Sequence, residues 1–242
     1  MAIITTNCFL RQRQNPIVRA MITLYGSMAS RAHRVVWMLK ELALPFVHVP
    51  TAFQDGSTHT PAFLALNPNG RVPALDDDGL VLFESLAINL HLARKYGVAP
   101  LDLAPRGIVE EALATQWSFW VVTEIEKPLL LASANRKLFA QSQRVEAEAQ
   151  MAIGKLARPL QVLDQHLATR AHLLGERFTV ADLNVATVMD LAPQCGLALA
   201  DWPRVQAWHQ RCLARPAAAD WLTVSFSIPR PPTALGLLKM FV

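Results

Sequence analysis

One stretch of the chain decides its fold, and it reads Asn67-Pro68-Asn69-Gly70-Arg71-Val72-Pro73-Ala74-Leu75. The Val72-Pro73 pair predicts a bend with exposed backbone hydrogen-bonding groups, because proline interrupts regular pairing. The residues that follow, Asp76-Asp77-Asp78-Gly79, are typical of a hairpin turn. Glu84-Ser85 begins eleven residues after Pro73, where a strand is predicted to pass into a helix. Together these elements predict a small pocket for a peptide-like ligand that carries a free carboxylate and an amine.

The residues on either side predict an α/β unit in the order β-α-β-α-β-β-α. Residues 21–25 and 46–49 are short runs rich in β-branched and aromatic side chains, which indicate strands. Residues 61–66 predict a short helix, and a hairpin crosses the Asp/Gly turn. A final helix is predicted from Ser85 to Tyr96, closed by Gly97. The first helix is predicted from an apolar face at i, i+3, i+4 and i+7, formed by Val35, Met38, Leu39 and Leu42.

The second half of the chain shows helical patterns throughout. A long amphipathic helix is predicted over residues 109–124, kinked or ended near Pro128. A later helix has Pro159 as a candidate for a bend. Thr179-Val-Ala-Asp182 predicts a capping box with Asp in the Glu position, so we interpret Asp182 as a folding element rather than a catalytic acid. Pro203 is predicted in the first turn of the last helix.

These patterns divide the chain into four parts. We expect an α/β domain at residues 21–97, a linker at 98–107 and an all-helical domain at 108–242. Residues 1–20 contain three arginines, no acid and no long apolar run. We interpret them as a disordered extension, or as the product of an upstream start codon with Met21 as the natural beginning.

Composition excludes several classes of protein. With 52% hydrophobic and 17% charged residues, the chain is predicted to be globular. Its net charge of +4 forms no dense basic stripe, which argues against nucleic-acid binding, and no apolar run approaches the ~18 residues of a membrane helix. Cysteine and histidine show no metal-binding spacing, so we expect no metal site. The cysteines are few and far apart, which favours a reducing, cytoplasmic location; they are Cys8, Cys195 and Cys212.

Four motifs, in this order and spacing, resemble the cytosolic glutathione transferases, in particular their serine-type, bacterial or theta-like members. The resemblance covers roughly residues 21–225. It implies an α+β/α architecture, in which a thioredoxin-like βαβαββα domain precedes an all-α helical bundle. The motifs are Leu24-Tyr-Gly-Ser-Met-Ala-Ser30, Asn67-Pro-Asn-Gly-Arg-Val-Pro73, Glu84-Ser85 and Gly175-Glu-Arg-Phe-Thr-Val-Ala-Asp182.

The resemblance also implies an activity. Glutathione would be the co-substrate, and its activated thiol would attack a small hydrophobic electrophile, as in detoxification. A homodimer is expected on the same basis. Two alternatives stay open: a binding protein that keeps the fold without the chemistry, and a glutathione-dependent peroxidase, isomerase or disulfide reductase. A protein thiol is not expected in the reaction, because no cysteine lies near the first strand-to-helix turn.

By the same resemblance, five residues are expected to hold glutathione. Val72 would pair through its backbone with the cysteinyl part, since the family holds the bond to Pro73 in cis. Glu84 would receive the ligand's ammonium, and Ser85 with its helix N-terminus would receive the γ-glutamyl carboxylate. Arg71 would lie near the glycyl end. The alternatives are an ordinary trans proline, a simple helix cap at Ser85 and a solvated turn cation at Arg71.

The resemblance makes Ser30 the candidate for the catalytic hydroxyl, because it stands at the first strand-to-helix turn, four residues before Arg34, as in the serine-type classes of the family. Its alternative role is that of a helix cap. Ser27 is the second candidate, and Tyr25 lies too early in the turn to match the family's tyrosine-type classes.

Three aromatic residues, Trp117, Phe119 and Trp120, are candidates for an electrophile pocket between the domains, although such a helical stripe is more often core. His59 and Gln54 lie in a loop that touches the glycyl end in some classes, but this loop aligns poorly here.

Overall fold

The computed structural model describes residues 21–218 and 230–232. The expected extension at residues 1–20 and most of the chain after residue 218 lie outside the described residues. Four strands form one mixed sheet in the order β2-β1-β3-β4, with β1 parallel to β2 and the other neighbours antiparallel. The first-half elements are β1 (Ile22–Tyr25), α1 (Ala32–Glu41), β2 (Phe46–Val49), α2 (Pro61–Leu66), β3 (Ala74–Asp77), β4 (Leu80–Phe83) and α3 (Ser85–Tyr96). This is the predicted βαβαββα order of a thioredoxin-like domain.

The hairpin between β3 and β4 closes through a two-residue turn at Asp78-Gly79. Asp78 has φ 56° and Gly79 has φ 90°, the positive angles that a tight hairpin of this hand requires. Asp76 Oδ1 accepts a hydrogen bond of 2.7 Å from the Gly79 amide and fixes the turn. The turn sets a register in which Ala74 pairs with Phe83, so the end of β4, where α3 begins, lies beside the start of β3.

The two inner strands bury Ile22, Leu24 and Leu75 in one core with residues of α1 and α3. The four residues of the predicted apolar face of α1 are all 3% exposed or less, which confirms the face; they are Val35, Met38, Leu39 and Leu42. Gly97 does end α3, but its φ of −87° is not left-handed. Glycine is needed there for another reason, because a Cβ at Gly97 would lie 2.6 Å from the carbonyl oxygen of Ala93.

The described remainder is helical, and one continuous core runs through both halves. The helix that starts at Gly107 does not end at Pro128. Instead, the six residues before Lys127 adopt π-helical hydrogen bonding, which lets the helix continue where proline removes a donor. The break near Pro159 precedes that proline, which lies in the first turn of the next helix.

The helical half has these bounds: α4 (Gly107–Trp120), a π-helix (Val121–Glu126), α5 (Lys127–Ser133), a second π-helix (Ala134–Leu138), α6 (Glu146–Gly154), α7 (Ala157–His166), α8 (Val180–Met189), α9 (Leu191–Gln194) and α10 (Pro203–Leu213). Short 3₁₀ turns cover Ser57–His59, Gln141–Gln143, Leu167–Thr169 and Pro216–Ala218. None of the helices in the described ranges is long and apolar enough to span a membrane.

The capping box at the start of α8 is confirmed. Thr179 caps the helix, and Asp182 Oδ2 accepts a hydrogen bond of 3.0 Å from the Thr179 amide. Asp182 Oδ1 also accepts hydrogen bonds of 2.9 Å from the Leu173 amide and from Trp208 Nε1. A fully buried carboxylate with this many donors ties α8, α10 and the preceding loop together.

Candidate functional site

A cavity of about 380 Å³ lies between the α/β half and the helical half. The α/β half contributes the segment after α2, the junction of β4 with α3, and one residue before α1. The helical half contributes one face of the π-helical turn and the first residue of α5. The lining residues are Arg31, Asn67, Arg71, Val72, Pro73, Glu84, Ser85, Val122, Thr123, Glu126 and Lys127. Five of these, Arg71, Val72, Pro73, Glu84 and Ser85, are the residues that sequence reasoning assigned to the ligand.

The Val72–Pro73 peptide bond is cis, as the resemblance implies. Within the described residues, neither the amide nor the carbonyl of Val72 has a hydrogen-bond partner, so both are available to a ligand. Asn67 holds this segment in shape: its Nδ2 donates to the Arg71 carbonyl at 2.6 Å, and its Oδ1 accepts from the Asn69 amide at 3.0 Å. Sequence reasoning missed Asn67, which is 3% exposed, although an asparagine directly before Pro68-Asn69-Gly70 is typical of a side chain that hydrogen-bonds the backbone of a turn.

The junction of β4 and α3 carries a strained residue. Glu84 has φ 69° and ψ 106°, a conformation that residues other than glycine rarely adopt. This conformation turns the chain sharply, so that Ser85 is the first residue of α3 and lines the cavity. The amides of the first helical turn have no partners within the helix, and the helix dipole adds partial positive charge there. This end of α3 therefore suits an anionic group.

Ser30 lies in the turn between β1 and α1 but does not itself line the cavity. Its Oγ donates a hydrogen bond of 2.7 Å to the Ser27 carbonyl and accepts one of 3.2 Å from the Ala32 amide. Ser27 Oγ is buried without a hydrogen-bond partner in the described part of the chain. Gly26 sits beneath the turn with φ 149°, and a Cβ there would lie 2.7 Å from Ala32 Cβ. The turn is therefore closely packed, and its geometry depends on a glycine.

His33 stabilises the same turn through a hydrogen bond to its backbone. Its Nδ1 donates a hydrogen bond to the Ser30 carbonyl. Burial, with the nearby Arg34 guanidinium as the next cause, lowers the pKa of His33 from 6.5 to about 3, so the imidazole is neutral at physiological pH.

Two arginines and one glutamate join the halves beside this turn. Arg31 Nε and Arg34 Nη2 both donate to Glu126 Oε1, at 2.8 and 2.6 Å. Burial by itself raises the pKa of Glu126, but the guanidiniums of Arg34 and Arg31 outweigh it and lower that pKa to about 2. Sequence reasoning missed this cluster. The sequence does contain a signal for it, an acid directly after Ile125 in a strongly apolar helix. Such an acid is expected to be buried, and a buried acid needs a cationic or hydrogen-bonding partner.

The three aromatic candidates do not line the cavity. Trp117 is 4% exposed and packs against Trp120 and His166, with ring centroids 4.9 and 4.7 Å apart, so the structure places it in the helical core. Phe119 is 66% exposed. None of these three aromatics lines the described cavity, because the π-helical turn presents the residues after Val121 instead.

The loop that contains Gln54 and His59 lies beside the cavity. Gln54 is exposed, and the His59 ring packs near Gly70, just before Arg71. Neither residue is among those that line the cavity.

Within the described residues, the side chains of His172, Asp182 and Cys212 lie within 4.8 Å of one another, a spacing that would suit a metal ion. Asp182 Oδ2 already accepts the hydrogen bond that caps α8, and Oδ1 accepts hydrogen bonds from the Leu173 amide and Trp208 Nε1. Burial raises the pKa of the Cys212 thiol. A cation would have to displace these bonds and a thiol proton, so the donor set does not favour one.

Comparison with known proteins assigns the family. Residues 20–94 match the family model "Glutathione S-transferase, N-terminal domain", and residues 122–216 match "Glutathione S-transferase, C-terminal domain". Glutathione S-transferase 3 of Zea mays is 35% identical over 229 residues, covering 89% of this chain and 99% of that protein. The chain therefore belongs to the glutathione S-transferase family.

Two further similarities bear on the site. The disulfide-bond oxidoreductase YfcG of Escherichia coli strain K12 is 30% identical, over 84% of this chain and 94% of that protein. The theta class glutathione S-transferase of Xanthomonas axonopodis pv. citri, whose crystal structure has glutathione bound, is 28% identical with a TM-score of 0.77. That alignment covers 86% of this chain and all of the other.

Proposed function

We propose that this chain is a glutathione transferase that binds glutathione on the α/β wall of the cavity. The observation that carries the proposal is the convergence of three features in one cavity: the unpaired Val72 backbone before the cis bond, the Glu84 carboxylate and the start of α3. The Val72 amide and carbonyl would pair with the cysteinyl residue in the manner of a short strand. Glu84 would receive the ammonium, Ser85 and its helix amides the γ-glutamyl carboxylate, and Arg71 the glycyl carboxylate.

Ser30 is the proposed activator of the glutathione thiol. A free thiol has a pKa of about 8.5, and lowering it by about two units takes roughly 2.7 kcal/mol. A hydrogen bond to a charged group contributes about 1.5–3 kcal/mol, which is enough. The Ser30 hydroxyl would turn its proton from the Ser27 carbonyl to the thiolate sulfur. The burial of Ser27 Oγ supports Ser30 over Ser27, because a buried hydroxyl cannot reach a ligand without moving.

The test is the ultraviolet absorbance of the thiolate in bound glutathione, measured against pH. We expect the apparent thiol pKa to rise by about one to two units in Ser30→Ala, because the donor to the sulfur is lost. Ser27→Ala is the matched control, and its thiol pKa should equal that of the wild type. Equal thiolate fractions in Ser30→Ala and the wild type would remove Ser30 from the mechanism, and failure of the wild type to bind immobilised glutathione would remove the ligand.

The acceptor is proposed to be a small electrophile bound against the helical wall, and the functional unit a homodimer. An apolar strip on the edge strand β4 supports a dimer: Leu80, Val81 and Phe83 are 37–46% exposed there. Light scattering on the purified protein tests this, and a monomer at micromolar concentration would refute it. A cytoplasmic location belongs to the same proposal, because glutathione is kept reduced there.

Glutathione-dependent disulfide reduction is the second candidate, favoured by the similarity to YfcG. Cys195 and Cys212 are both fully buried, so neither thiol reaches the cavity, and glutathione itself would have to attack the disulfide. Two glutathiones would then be oxidised for each disulfide reduced. Turnover of hydroxyethyl disulfide without conjugation of any electrophile would favour this activity over the transferase.

A further inference from the structure

The helical side of the cavity is more polar than a site for a purely hydrophobic acceptor. We call its four lining residues, Val122, Thr123, Glu126 and Lys127, the acceptor wall. Only Val122 of the four is apolar. The tryptophans of the preceding helix, Trp117 and Trp120, pack against each other and the core instead of lining the cavity. Arg31 borders this wall from the α/β half, next to Glu126.

The charges on this side do not balance. Glu126 is the wall's acid, and it already accepts hydrogen bonds from both Arg31 and Arg34. Arg31 uses its Nε for this bond, and its two terminal amino groups have no partner among the described residues. Lys127 is exposed and makes no ion pair within the ranges that the structure describes. Three cations, Arg31, Arg34 and Lys127, therefore share one acid on this side of the cavity, and Lys127 is the one that does not pair with it.

The proposed position of glutathione uses neither Lys127 nor the terminal amino groups of Arg31. Its ammonium is assigned to Glu84, one carboxylate to the start of α3 and the other to Arg71, all on the α/β side. We propose that Lys127, assisted by Arg31, binds an anionic group on the electrophile, so that the acceptor substrates of this chain are electrophiles that carry a carboxylate or a similar anion. This inference rests on the proposed transferase function and adds the chemical class of its second substrate.

A nitrated chlorobenzoate is a suitable probe of this class. With 4-chloro-3,5-dinitrobenzoate, the glutathione thiolate attacks the ring carbon that bears chlorine, and a carbon–sulfur bond forms. The carbon–chlorine bond breaks, chloride leaves with the bonding pair, and the thiol proton passes to solvent. The methyl ester of the same compound undergoes the same substitution without the negative charge. The pair therefore isolates the carboxylate.

The experiment compares kcat/KM for the carboxylate with kcat/KM for the ester in the full-length protein. We expect the carboxylate-to-ester ratio to fall about tenfold in Lys127→Gln, since an ammonium–carboxylate hydrogen bond is lost. Lys127→Arg keeps the charge and should retain most of the ratio. Lys155→Gln is the matched control, because this exposed lysine of the helical half does not line the cavity.

The outcomes separate the two proposals. An unchanged ratio in Lys127→Gln, with both compounds still conjugated, overturns the anionic acceptor and leaves the transferase intact. A raised KM for glutathione with an unchanged ratio overturns it too, because Lys127 would then bind the glycyl carboxylate. If the wild type conjugates neither compound while a disulfide is reduced, the transferase proposal fails and this inference fails with it.

Discussion

The buried imidazole of His33 makes the stability of this protein depend on pH in a window where carboxylates contribute little. In the folded protein its pKa is about 3, against 6.5 in the unfolded chain. Below pH 6.5 the unfolded state therefore binds a proton that the folded state does not, and the free energy of unfolding falls as the pH falls toward 3. One pKa unit corresponds to about 1.4 kcal/mol, so lowering the pH from 7 to 5 should cost about 2 kcal/mol through His33 alone.

The assay is urea unfolding of wild type and His33→Asn at pH 7, 6 and 5 and one fixed protein concentration. Asparagine can donate its amide to the Ser30 carbonyl, as His33 Nδ1 does, but it does not titrate. We expect the wild type to lose about 2 kcal/mol more than the variant between pH 7 and 5. Other ionisable groups, including the buried His209, are common to both proteins and cancel in the difference. Equal losses in the two proteins would refute a neutral, buried His33.

Two further substitutions test the packing around the cavity. Glu126→Gln should lower the free energy of unfolding by about 3–5 kcal/mol, because Arg34 is then left buried without its counter-charge. Glu146→Gln, whose carboxylate pairs with an arginine at the surface, is its control, and an equal loss of stability in the two would contradict the buried pair. Gly26→Ala should cost roughly 1–3 kcal/mol in thermal unfolding and weaken glutathione binding, because its Cβ would collide with Ala32. Unchanged unfolding would show that the turn adapts.

Much of the fold could be predicted because it is encoded locally. The apolar face of α1 and the positive φ angles at Asp78-Gly79 follow from periodicity and from turn chemistry over a few residues. The course of the chain around Pro128 could not be predicted in this way. Whether a proline ends a helix or is absorbed by a π-helical turn depends on the packing of the whole segment, and here the flanking Val121, Ile125 and Leu129 are fully buried.

The site residues likewise fall into those that a local sequence pattern predicts and those that depend on contacts between distant parts of the chain. Val72, Pro73, Glu84 and Ser85 are close to one another in the sequence, and the family resemblance assigns them to one ligand. Glu126 lies over 90 residues from its arginine partners, so no local pattern connects them. The aromatic stripe of Trp117, Phe119 and Trp120 suggested an acceptor pocket on the basis of residue type alone. The acceptor wall instead depends on the rotation of the helix after Trp120, which a sequence pattern with one fixed period cannot follow.

The position of Glu126 links the proposed site of thiol activation to the proposed acceptor wall. Its carboxylate accepts hydrogen bonds from Arg31 and Arg34, which follow Ser30 in the chain, and Glu126 is itself part of the acceptor wall. A substitution that moves Glu126 should therefore alter both the turn that carries the proposed thiol donor and the surface proposed to bind the electrophile. Lys127 lies one residue further along and makes no such bond within the described chain. Acceptor preference should therefore be adjustable at Lys127 while the geometry of the Ser30 turn is preserved.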